Sequence, residues 1–69
     1  MYESLLSLLK EEDEYVRWIN RENADIARLK KMREIGLAKY YEDRVLEYEE
    51  KLISVRKRIQ AYLSAIENA

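Results

Sequence analysis

The sequence predicts an all-α protein: a long antiparallel helical hairpin of coiled-coil type that dimerises into a four-helix bundle. Three observations predict it. Ala38, Tyr41, Val45, Tyr48, Leu52, Val55, Ile59, Tyr62 and Ile66 are separated by alternating steps of three and four residues, the spacing of a helix that buries one stripe against another. The 69-residue chain has no proline and one glycine, Gly36, so it lacks the residues that tight sheet turns demand. Gly36 also divides the chain into arms of 35 and 33 residues. Each is about 50 Å long if helical, and near-equal arms about one break describe a hairpin.

The need for a partner follows from size. A single domain of this length hides only about 60% of the surface that its unfolded chain exposes. There is no cysteine and no histidine, so neither a disulfide nor a thiolate or imidazole metal site adds stability. Oligomerisation is the usual remaining remedy. Hydrophobic residues make up 48% of the chain, enough to argue against disorder. Thirteen basic and 14 acidic residues give a net charge of −1, so the chain as a whole does not attract nucleic acid or an anionic membrane. Residues 1–9 are apolar but include Glu3, and Lys10 follows without a small-residue cleavage site, unlike a signal peptide. No run approaches the roughly 20 apolar residues that span a bilayer. These features point to a cytoplasmic protein, or one within an intracellular or viral assembly, with no membrane partner.

The first helix is expected over about 3–35. Ser4 suits its N-cap, with Tyr2 as a flanking apolar residue. Leu5, Leu6, Leu8 and Leu9 form a dense apolar turn, continued by Val16, Ile19, Ile26 and Leu29, with Tyr15 and Trp18 at its edges. Glu12 and Asn23 interrupt this series. Asn23 beside the seam resembles a buried polar residue that fixes register. The stretch 20–24 contains cap-competent residues and permits an additional break, although Ile19 and Ile26 keep a single register across it. Glu11 to Glu14 read as a solvated face. They have neither the glycine nor the spacing of a calcium loop, and the Glu11 and Glu14 carboxylates have no third catalytic group beside them.

A break is expected near Gly36. Lys30, Lys31 and Arg33 precede it, and basic residues suit a helix C-terminus. With Gly36 as the left-handed residue of a Schellman ending, Met32 and Leu37 fall at the two positions that make its apolar contact. Against this, residues 37 and 38 offer no capping side chain, and a glycine inside a helix costs only about 1 kcal/mol.

The second helix is expected over about 38–67. Lettered as a heptad, Ala38, Val45, Leu52, Ile59 and Ile66 take position a, and Tyr41, Tyr48, Val55 and Tyr62 take position d. Parallel two-stranded coils favour leucine at d. Tyrosine is wide and its hydroxyl needs a partner, so it fits the margin of an antiparallel or multi-helix interface. Leu46, Ile53 and Leu63 widen the stripe beyond the seam, as in a helix that touches two neighbours. Folding about Gly36 sets the acids of 11–14 near Arg56, Lys57 and Arg58, and sets Lys30, Lys31 and Arg33 near Glu42 and Asp43. A fold at 20–23 also gives opposite-sign pairing, so charge supports antiparallel packing without locating the turn.

The chemistry of a catalyst is missing. No imidazole base, thiol nucleophile or glycine-rich phosphate loop exists. The expectation is a non-enzymatic protein-interaction or structural module without cofactor or metal: an oligomerising adaptor, an assembly component or an inhibitor-like binder. Its helical interface comprises Leu5, Leu9, Val16, Ile19 and Ile26 from the first helix. The second helix supplies Tyr41, Val45, Tyr48, Leu52, Val55, Ile59, Tyr62 and Ile66. Tyr15, Trp18 and Tyr40 are expected anchors for a protein partner. The alternative is a small nucleic-acid-binding regulator. In that reading Lys30, Lys31, Arg33, Arg56, Lys57 and Arg58 contact phosphates from a helical dimer.

Overall fold

The computed structural model describes residues 4–68. Two helices, α1 (Leu5–Lys31) and α2 (Ile35–Glu67), form an antiparallel hairpin, and there are no strands among the described residues. The molecule measures 54 × 21 × 14 Å, a layer about one helix thick.

Helix α1 begins as its sequence demands. Ser4 has extended backbone angles and its hydroxyl accepts a hydrogen bond from the Ser7 amide at 3.0 Å, satisfying one of the unpaired donors of the first turn. Tyr2 and a helix start at residue 3 lie outside the described residues. The helix runs unbroken through 20–24, so the additional break is absent. Short-range pairs support its exposed side: Asp13 with Arg17 and Asp25 with Arg28, both at 3.0 Å. Such exposed pairs are worth only a few tenths of a kcal/mol each.

The break falls at Met32–Glu34, earlier than Gly36. The Glu34 amide donates to the Leu29 carbonyl at 2.9 Å, and the Arg33 amide to the Lys30 carbonyl at 3.1 Å. That is a Schellman ending with Arg33 as its left-handed residue, at φ 61°. Gly36 instead lies in the first turn of α2. The local preference of glycine for a positive φ is worth about 1 kcal/mol. The buried positions that flank the turn, Leu29 and Ala38, both depend on where it sits. A turn at Gly36 would carry α1 another turn forward and rotate this packing out of register, so tertiary packing overrides the glycine signal. Helix α2 starts without help: Glu34 makes no side-chain capping hydrogen bond, and no acid stands in the first turn.

The seam of α2 matches the sequence reading over most of its length. Ala38, Val45, Leu52, Val55 and Ile59 are buried. Tyr41, Tyr48 and Tyr62 are half-buried at the margin of the seam, and the Tyr48 hydroxyl accepts a hydrogen bond from Arg44. Ile66 is exposed. Tyr62 packs at the level of Leu5, and Ile66 lies one turn beyond it, level with no described residue of α1.

The seam of α1 differs from expectation. Leu5, Leu8, Glu12, Tyr15, Ile19, Glu22, Ile26 and Leu29 follow the same three-four alternation. All eight are buried or half-buried. Leu5, Glu12, Ile19 and Ile26 occupy a; Leu8, Tyr15, Glu22 and Leu29 occupy d. Leu8 is fully buried with Val55 and Ile59, and Leu5, Tyr15 and Tyr62 pack against this cluster. Leu9, one residue on, stays exposed, because a step of one turns a side chain away from the seam. Asn23 is exposed too. The buried polar place expected of Asn23 is taken by Glu22, at 7% exposure.

Candidate protein-interaction surface

Three ion pairs across the seam set the register of the hairpin. Lys30 Nζ lies 2.9 Å from Glu42 Oε1, Arg44 Nη2 3.1 Å from Glu22 Oε1, and Arg56 Nε 3.0 Å from Glu12 Oε2. Two of these fulfil the expected charge pairing of 11–14 with 56–58 and of 30–33 with 42–43. In an antiparallel pair, e positions of both helices share one broad face, and g positions share the other. Lys30 and Glu42 are both e residues and mark the first face. Trp18 and Arg44 are both g residues and mark the second.

The second face is aromatic and charged. Tyr15, Trp18 and Tyr48 form a mutual cluster with ring centroids 5.5, 6.2 and 5.6 Å apart. Arg44 Nη2 donates to the Tyr48 hydroxyl at 2.9 Å. The Arg44 guanidinium carbon lies 5.8–5.9 Å from the rings of Tyr40, Tyr41 and Tyr48, within cation–π range. The Tyr48 hydroxyl, and after it the Glu22 carboxylate, hold the Arg44 pKa above its ordinary value. Of the expected anchors, Tyr15 is half-buried by its intrachain packing, Trp18 is partly exposed, and Tyr40 stands outward against Tyr41. The hairpin itself thus uses much of this aromatic area.

The first face intersperses large apolar residues with polar ones, among them Asp13, Asn20, Asn23, Glu49 and Arg56. Position e of α1 contributes Leu9 and Val16, and position b contributes Leu6. In α2, Leu63 stands at e, and Leu46 and Ile53 stand at b. Leu6 is 77% exposed, Leu46 58% and Ile53 54%, whereas Val16 is half-buried. The ion-pair register runs Leu6 level with Leu63, and Val16 level with Ile53, so the two helices contribute to one strip. The sequence marks Leu46, Ile53 and Leu63 as a widened stripe, and together with Leu5, Leu6 and Leu9 they are more apolar side chains than one hairpin seam accommodates. Of that set Leu5 packs within the hairpin, and Leu9, expected in the α1 seam, lies on this face instead.

The basic residues lie in two groups at different heights. Lys30, Lys31 and Arg33 stand at the turn. Arg56, Lys57 and Arg58 are about 30 Å further along α2. Lys30 and Arg56 each hold a carboxylate. Among the described residues there is no pocket, no group of three or more potential metal ligands, and no helix long and apolar enough to cross a membrane. Comparison with protein-family models, characterised proteins and solved structures finds no match.

Proposed function

We propose that the protein is a non-enzymatic interaction or structural module that works by packing its apolar broad face against other helices. The observation that supports this reading is the set of large aliphatic side chains that the hairpin leaves exposed. Leu6, Leu9, Leu46, Ile53 and Leu63 are exposed together on one face; the opposite face also exposes Met32, Leu37 and Tyr40, but packs Tyr15, Trp18 and Tyr48 on one another within the chain. A face of leucine and isoleucine gains by leaving water, at about 25 cal/mol for each Å² removed, and needs only a complementary helical surface. A four-helix bundle built from two hairpins is the assembly that such a layer favours. Adaptor, assembly component and inhibitor-like binder are all roles of this type.

The test is affinity capture from the native host with the wild-type chain and with Ile53→Lys, each in lysates with and without nuclease. Recovery of a defined protein partner, or of the chain's own copies, that resists nuclease and is lost in Ile53→Lys supports the reading. Recovery that depends on nucleic acid, with direct binding that weakens steeply with salt, replaces it with the regulator alternative built on the two basic groups.

A further inference from the structure

We infer that a second copy of this chain occupies the apolar face, docked antiparallel through α2 with the two-fold axis at Ile53. This rests on the interaction reading above and names the occupant, its direction and its register.

The first argument is area. The chain exposes 5701 Å², against about 4,600 Å² for a compact monomer of its mass. The surplus, about 1,100 Å², comes from the thinness of the layer. A standard protein interface takes about 800 Å² from each partner. Stacking two 54 × 21 Å faces therefore removes a surplus of the size a stable dimer needs.

The second argument is charge, and it selects the direction. Position b of α2 reads Lys39, Leu46, Ile53, Gln60 and Glu67. The ends of this row, Lys39 and Glu67, are opposite in charge, so they pair when the row is reversed. A two-fold axis at Ile53 brings Ile53 onto its own mate, Leu46 onto Gln60 of the second copy, and Lys39 onto Glu67 of the second copy. In the neighbouring e row, the same axis brings Glu49 opposite Arg56 of the second copy, and the outer Glu42 opposite Leu63. Both charged contacts occur twice by symmetry. Arg56 uses its Nε on Glu12 within the chain, and a guanidinium carries four further N–H donors. A parallel arrangement would instead stack Glu49 on Glu49 and Arg56 on Arg56, which disfavours it. The apolar α1 residues Leu6, Leu9 and Val16 flank the α2 ridge on the same face and are covered by the same stacking.

The test combines sedimentation equilibrium with engineered thiols, which the cysteine-free chain makes unambiguous. At micromolar concentration the wild type is expected to be a dimer. Ile53→Lys raises the dimer dissociation constant about 100-fold or more, because two ammonium groups meet at the axis, while its helical circular dichroism is unchanged. Under diamide, Ile53→Cys forms a covalent dimer. Leu46→Cys and Gln60→Cys each fail to self-link, since their mates stand about 20 Å apart along the axis, but a mixture of the two links. A dimer in which Leu46→Cys links to itself overturns the antiparallel arrangement. A wild-type monomer overturns the second copy as occupant. If Ile53→Lys then still loses a captured protein, the interaction reading survives with another partner. If it changes neither association nor capture, both fall.

Discussion

Glu22 and Arg44 meet inside the hairpin seam, with Glu22 Oε1 3.1 Å from Arg44 Nη2. The contact is unequal. Glu22 is buried, and its Oε2 has no hydrogen-bond partner among the described residues, whereas Arg44 is about two-fifths exposed. A buried carboxylate with one unsatisfied oxygen costs stability that a partly solvated guanidinium does not fully return. What the pair supplies is position. Sliding α2 by one heptad would set Leu37 or Lys51 where Arg44 stands, and in the first case Glu22 would be buried without a cation.

From this asymmetry, Glu22→Leu should raise the urea midpoint, by about 1 kcal/mol in unfolding free energy. Arg44→Met should lower it, because the carboxylate stays behind without its counter-ion. Urea titrations followed by circular dichroism, at fixed protein concentration, rank the three chains. A fall in stability for Glu22→Leu would mean that the attraction outweighs the desolvation.

The turn gives a prediction of opposite logic to the glycine rule. Arg33 adopts φ 61° without the freedom of a glycine, so Arg33→Gly should stabilise by about 1 kcal/mol. Gly36 is helical, and an added Cβ meets nothing within 4 Å, so Gly36→Ala should also stabilise, by about 0.5–1 kcal/mol. Thermal unfolding of both variants decides it. Destabilisation by Gly36→Ala would return the break to the glycine.

These two cases mark how far the sequence could be read. The helical hairpin, the α2 seam from Ala38 to Tyr62 and the cross-seam charge pairing were legible, because burial of an apolar stripe is a period that survives in the letters. The turn was not. Its position depends on which residues must be buried on both sides, and this outweighs the small local preference carried by Gly36. The α1 seam was only half legible. Glu12 and Glu22 sit at seam positions, so a search for apolar residues alone slipped to Leu9 and Asn23. Counting three-four steps regardless of polarity recovers Leu5 to Leu29. For the candidate surface, Leu46, Ile53 and Leu63 stood out by their offset from the seam. Leu6 and Leu9 were legible with them as surplus apolar residues, but that they share one face with the α2 ridge needed the register of α1.

Two adjacent leucines separate the intrachain core from the outer face. Leu8 is fully buried beside Val55 and Ile59, so Leu8→Ala should cost about 2–5 kcal/mol through lost burial and a cavity. Leu9 lies on the apolar broad face, and Leu9→Ala should hardly change the unfolding of the isolated hairpin while weakening association. Urea titration at low concentration reads the first effect, and sedimentation reads the second. Equal losses of stability would place both residues in one core.

Trp18 offers an internal reporter of which broad face is used. It is the one tryptophan in the chain, and it packs on Tyr15 and Tyr48 on the g side, away from Ile53. Association through the apolar face leaves its surroundings intact. Raising the protein concentration through the dimer dissociation constant, as fixed by sedimentation, should therefore leave the Trp18 emission maximum and its quenching by acrylamide unchanged. Over the same range the urea midpoint should climb, because mass action favours the associated folded state, by about 1.4 kcal/mol per mole of dimer for each tenfold in concentration. Ile53→Lys should show neither the climb nor any change in emission. A blue shift of Trp18 that tracks dimer formation would instead put the aromatic face, with Tyr40 and Arg44, at the interface.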